Sequence, residues 1–219
     1  MLNNTLKFIE QLKENNNKPW FEANKPEYLK VKTEFESVVE QILHKIAAFD
    51  KSVEGLKPKD CIFRIYRDVR FSHDKSPYKG HFGAFFCEGR TQSPGPGYYL
   101  HLEPGNKSFI GGGIYMPPAP VLQKIRQEID YNGDKLEAIL NKPSFSKYFN
   151  RLSTEDKLSR PPKGYFPDNP HLELLKLKSF VTGFNIKDSE IKEGDIVKLA
   201  ETVFKEMHPL QLFLKEAIA

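Results

Sequence analysis

Arg64, Tyr66, Arg67, Arg70, Lys75 and Lys79 fall within the 19 residues from Phe63 to His81, a stretch that also holds two Asp and two His. An anion site needs fixed positive donors, and a guanidinium offers a planar fork that matches a carboxylate or a phosphate. The set therefore points to capture of a small anionic or phosphorylated ligand, with Lys163 approaching from a later loop. Asp68 and Asp74 in the same stretch allow a different outcome, in which the charges pair with one another and merely lock the loop.

Tyr99, His101 and Glu103 alternate along a second segment, so an extended backbone would place all three on one face. An imidazole beside a carboxylate can move a proton, which makes His101 and Glu103, with Tyr99, the catalytic candidates: they would orient a ligand or transfer a proton. His73 and Asp74 are adjacent in sequence and would face opposite ways on a strand, so they form no dyad by themselves.

The other familiar chemistries lack their patterns. The six histidines are dispersed, and there is no HExxH, no cysteine pair at zinc spacing and no EF-hand loop, so no metal site is assigned. A composite of His101, Glu103 and His171 would require the late loop to fold over the sheet. No GxGxxG, P-loop or GxSxG is present, and no cofactor is assigned. An alternative reading follows from the interleaving of bases and aromatics at Arg64, Tyr66, Arg67, Arg70, Phe71, Lys75, Tyr78 and Lys79: a non-enzymatic surface for nucleic acid or protein. The net charge of +4 is modest for such a role.

The elements that must position these residues follow from periodicity. Leu6, Ile9 and Leu12 stripe a short helix that the Asn15-Asn16-Asn17 run ends, and Trp20-Phe21 reads as an anchor to the core. Pro26 suits the first turn of a longer helix whose stripe runs Tyr28, Val31, Phe35, Val38, Ile42, Ile46 and Phe49. The Asp50 to Asp60 segment reads as a polar connection. From Cys61 the period becomes two, with Cys61, Phe63 and Ile65 core-facing and Ile62, Arg64 and Tyr66 opposite.

Phe82 to Cys87, Tyr98 to Glu103 and Ser108 to Met116 read as further strands, and Gly89 to Gly97 as a hairpin or lid. Gly111-Gly112-Gly113 predicts a bulge or strong curvature, or a close approach of ligand to backbone. Helical stripes return at Leu122, Ile125 and Ile129 and again at Ile196 to Met207, and Pro209 predicts an interruption before a final helix. The expected architecture is one compact α+β domain over 1–219. It has a curved antiparallel sheet from segments near 61–70, 81–87, 97–103 and 108–116, flanked by N- and C-terminal helices, with an edge strand near 180–186.

Composition sets the outer bounds. Hydrophobic residues at 39% and charged residues at 28% fit a folded chain rather than a disordered one. Two cysteines, Cys61 and Cys87, mark no disulfide framework. No transmembrane-length apolar run and no leader pattern is visible, so a reduced, cytoplasmic protein without membrane contact is expected.

Several motifs together carry a family resemblance. They are Trp20-Phe21 with Asn24-Lys25, the run Phe63-Arg64-Ile65-Tyr66-Arg67-Asp68-Val69-Arg70-Phe71, and Lys75-Ser76-Pro77-Tyr78-Lys79. Gly97-Tyr98-Tyr99-Leu100-His101-Leu102-Glu103-Pro104, Gly111-Gly112-Gly113, Arg160-Pro161-Pro162-Lys163-Gly164 and Leu177-Lys178-Ser179-Phe180 complete the set. The chain resembles the conserved, mostly bacterial family grouped as domain of unknown function 2461. That resemblance implies a stand-alone cytoplasmic protein and brings no assigned activity.

Overall fold

The computed structural model describes residues 2–89 and 95–219. The N-terminal part is helical: α1 (Asn3–Glu14), α2 (Lys18–Ala23), α3 (Lys25–Ala47) and the short α4 (Pro58–Cys61). Asn17 ends the asparagine run by capping α2, its side-chain oxygen accepting from the Trp20 N–H at 3.0 Å. Three strands follow, β1 (Phe82–Phe86), β2 (Gly97–Leu102) and β3 (Ser108–Ile114). Helices α5 (Ala119–Leu140), α6 (Pro143–Ser146) and α7 (Leu172–Leu175) lead to β4 (Phe180–Ile186), then α8 (Asp188–Glu193) and α9 (Ile196–Ile218).

All four strands pair antiparallel in the order β1-β2-β3-β4. The expected α+β class with flanking helices is found, but the expected curved sheet is corrected. β1 and β4 are the two ends, and the sheet neither curls nor closes on itself. The three glycines make no bulge either: Gly111, Gly112 and Gly113 pair in unbroken register with Gly183, Thr182 and Val181.

The 61–70 segment is not a strand. It meets its neighbours only through isolated bridges, Ile62 with Ala84 and Tyr66 with Tyr78, and through single bonds such as Phe63 N–H to the Gly83 carbonyl at 3.0 Å. The reason lies in Pro77. Its carbonyl accepts the Arg67 N–H at 2.9 Å, but proline has no N–H to return, so a ladder cannot propagate. The segment still covers the outer edge of β1, which removes a row of open backbone groups from solvent. Ile65 is buried as the alternation predicts and Cys61 is buried as the last residue of α4, whereas Phe63 lies over the opposite face of the sheet.

Helices cover one sheet face. Ala84, Phe86, Tyr98, Leu100, Leu102, Ile110, Ile114, Phe180 and Ile186 are buried there, and α9 lies against β2, β3, α3 and α5. The Phe204 ring of α9 sits between Phe86 and Tyr98, 6.0 and 5.1 Å away. Pro209 does not interrupt α9: Val203, Phe204, Met207, Leu210, Phe213 and Leu214 form one buried stripe across it, and that packing outweighs the one lost backbone bond. The Gly89 to Gly97 lid expectation falls mostly on 90–94, outside the described residues. Among the described residues no helix is long and apolar enough to cross a membrane.

Candidate functional site

Alternation along β1 to β4 turns a second set of side chains away from the helices. Register aligns Phe85 with Tyr99, Tyr99 with Gly111 and Gly111 with Gly183, and likewise Gly83 with His101 and His101 with Phe109. These residues form the face opposite the packed helices. His81 lies one step beyond the Phe82–Leu102 pair, opposite the end of β2, and so meets the same group.

On this face a hydrogen-bonded chain runs from the sheet to α1. The Tyr99 hydroxyl is 2.9 Å from His101 Nδ1, His101 Nε2 is 3.0 Å from Glu103 Oε2, and Lys13 Nζ is 2.8 Å from Glu103 Oε1. A carboxylate only accepts, so a neutral His101 donates from Nε2 and accepts the Tyr99 proton at Nδ1. Gly83 makes room for this contact, because a Cβ there would stand 2.7 Å from the Tyr99 hydroxyl oxygen.

Electrostatics agree with that assignment. Burial pushes the Tyr99 phenol up to about 12, helped by the Glu103 charge. Burial also lowers His101, more than Glu103 raises it. Burial would raise the Glu103 carboxyl, but hydrogen bonds from Lys13 and His101 hold it below its ordinary value. His81 is pushed down to about 4, first by burial and then by the adjacent His101 ring, whose centroid is 4.3 Å from its own. One ligand atom each from His81, His101 and Glu103 lies within 4.8 Å of the others.

Beside this chain lies a cleft of ≈ 930 Å³, within the range of small-molecule sites. Phe63, Phe85, Tyr99 and Phe109 supply aromatic walls, and Gly113, Val181 and Gly183 belong to its floor on β3 and β4. Tyr115 and Met116 form part of the lining while remaining 69% and 56% exposed, an apolar mouth. Met116 is held in the left-handed region, φ 43, with its N–H donated to Ser179 Oγ at 3.0 Å. Strain of this kind in a bulky residue persists only where its surroundings impose it. Arg151 and Asn150 also line the cleft, and Arg151 pairs with Glu137 at 2.6 Å.

The basic stretch divides. Arg67 pairs with Asp74 and donates to the Ser76 carbonyl at 3.2 Å, Arg70 grips Asp68 through two bonds of 3.0 and 2.7 Å, and Lys75 donates to the Val69 carbonyl at 3.0 Å. These three cations close the loop on itself. Lys79 instead places Nζ 5.3 Å from the Phe63 ring centroid, and its pKa is lowered by burial and by nearby Arg64. Arg64 is exposed and makes no hydrogen bond or ion pair with another described residue. Tyr66 is half exposed and rests against Tyr78 and Phe21. Lys163 is exposed on the proline-rich loop and is not bonded to the rest of this set.

His171 is not part of the group. Its ring packs on Gly133 of α5 and approaches Asp134 at 3.5 Å, so the late loop leaves the His101 and Glu103 pair alone. Sequence reasoning passed over His81, Lys13, Phe109 and Met116. For His81 the signal was partial: it alternates with the core-facing Phe82, Ala84 and Phe86, but its meeting with His101 depends on the register of β1 against β2. Lys13 reaches across 90 positions and had none.

Neither the curated proteins nor the solved structures contain a significant match to this chain. The family described as conserved hypothetical protein, DUF2461, matches residues 4–213. With nearly the full length covered, the chain belongs to the DUF2461 family.

Proposed function

We propose that the sheet face opposite the packed helices binds a small organic ligand with a flat apolar body and an anionic group. The observation that carries this reading is the double placement of Tyr99: its ring is a wall of the cleft, and its hydroxyl is the end of the chain through His101 and Glu103 to Lys13. Aromatic walls favour a planar body, and Tyr99, His101 and Glu103 orient its polar group or hand it a proton.

The anion falls to Arg64 and Lys79. Their charges sit close enough that Arg64 depresses Lys79, and a negative group between them would relieve that repulsion. Arg67, Arg70 and Lys75 have local partners and contribute by fixing the loop.

A ligand-observed NMR screen pairing aromatic carboxylates and phosphates with neutral analogues tests the reading. The acids are expected to bind, neutral analogues to bind at least about tenfold more weakly, and Arg64→Ala with Lys79→Ala to remove the difference, consistent with about 1.5–3 kcal/mol for a charge-assisted bond. No binding by any acid would overturn it.

The alternative, a surface for nucleic acid or protein, draws support from Phe71, which is 95% exposed beside Arg70. Such binding would fall steeply with salt and would ignore changes within the cleft.

A further inference from the structure

We propose that His81, His101 and Glu103 form a binding site for one divalent first-row transition-metal ion, with Zn(II) the simplest occupant. The inference stands whether or not the cleft binds an organic molecule. Two imidazoles and one carboxylate converge at the β1–β2 pair, their ligand atoms within 4.8 Å of one another and each residue half-buried. This is the donor set of open zinc sites and of facial-triad iron sites, in which three protein ligands leave positions for water or substrate.

His81 supplies the second observation. Its half-buried ring lies tilted against His101, with centroids 4.3 Å apart, and makes no hydrogen bond to any described residue. No described residue occupies its ring nitrogens, so a lone pair is available to an ion between the two rings. Metal–nitrogen distances of about 2.0–2.1 Å place tetrahedral donors roughly 3.3 Å apart, so the site must contract. His81 is the ligand free to swing, because His101 and Glu103 are fixed by Tyr99 and Lys13.

Those two contacts are the outer support that metal ligands require. Lys13 holds Glu103 Oε1 and leaves Oε2 on the imidazole side. For His101 Nε2 to bind an ion, its proton must reside on Nδ1, which then donates to the Tyr99 oxygen. The tautomer changes while the number of protons does not. Tyr99 thereby stops donating to His101, and its own O–H is released to donate elsewhere. Occupancy of the ion would thus reset the hydrogen-bonding role of a cleft wall. Lys13 and Lys79 stand near enough to act on His81, and their charges restrain the affinity.

The test uses tag-free full-length protein stripped with a chelator and titrated with cobalt(II) chloride. Uptake of one ion per chain is expected, with visible d–d absorption bands that zinc chloride abolishes. His81→Ala and Glu103→Gln should each weaken uptake by roughly tenfold or more, and His171→Ala should leave it unchanged. In unmodified protein, zinc should shift the ring resonances of His81 and His101 and spare those of His171 and His208, a readout that needs no variant to fold. Absence of stoichiometric uptake, uptake indifferent to both substitutions, or shifts confined to other histidines would overturn the proposal.

Discussion

Alanine at position 50 is expected to lower the unfolding free energy by about 3 kcal/mol at neutral pH. Asp50 is 4% exposed and accepts from the Tyr98 hydroxyl at 2.9 Å, from Lys215 Nζ at 2.8 and 3.0 Å, and from the Ser52 N–H at 3.0 Å. With the Tyr98 proton given to Asp50, His208 donates its Nδ1–H to the same hydroxyl, 2.8 Å away. The end of α3, strand β2 and helix α9 are tied through this one carboxylate. Removing one member of a buried ion pair costs about 3–5 kcal/mol, because the partner stays buried without compensation. Lys215 is 25% exposed and can turn to water, which places the loss at the low end.

The same carboxylate sets a pH dependence. Burial would raise Asp50, but hydrogen bonds from Lys215, Ser52 and Tyr98 prevail and hold it at about 2. An unfolded Asp titrates near 3.9. A depressed native value stabilises fully above the unfolded pKa, and the contribution disappears as pH falls from about 4 through 2. The gap between wild type and Asp50→Ala in urea denaturation should therefore narrow by about 2 kcal/mol over that interval. A gap constant from pH 7 to 2 would contradict the assignment.

Gly113→Ala is expected to be comparably harmful, and at the cleft itself. Gly113 has φ 114, and a Cβ there would overlap the Phe180 carbonyl oxygen in β4. The backbone conformation alone costs a residue with a side chain about 1–3 kcal/mol, and the overlap must also push β3 from β4. A fall in melting temperature of about 6 °C or more follows, at 2–4 °C per kcal/mol for a chain of this size. Gly183→Ala is the control, since its Cβ would have no neighbour closer than 3.6 Å. Equal melting temperatures for the two variants would show that Gly113 is not under this constraint.

Much of the frame was legible because helix and strand periods are local properties. Val31, Phe35, Val38, Ile42 and Ile46 are buried on α3 as their spacing predicts, and Tyr98, Leu100 and Leu102 separate from Tyr99, His101 and Glu103 as alternation requires. The charged stretch left two readings open for an equally physical reason. Arg67 and Arg70 have acids seven and two positions away, and in the folded chain each pairs with its neighbour. Pro77 then prevented the 61–70 alternation from becoming a sheet strand.

What stayed hidden was long-range. Asp50 sat in a stretch read as a polar connection, and its partners Tyr98 and Lys215 lie 48 and 165 positions away. Lys13 on α1 carried no mark that it would meet Glu103. The cleft itself exists only once Phe63, β3, β4 and the 150–153 segment come together, which no single window of sequence reports.

Calorimetric titration of an acid from the screen into wild type and Gly183→Leu tests the cleft as a ligand site directly. Gly183 lies in the cleft with ordinary room around its Cβ position, so a leucine fills ligand space without distorting the sheet. The predicted result is unchanged thermal stability with binding weakened by at least about tenfold, the equivalent of 1.4 kcal/mol. Equal affinity for both proteins would place the ligand elsewhere and contradict the account.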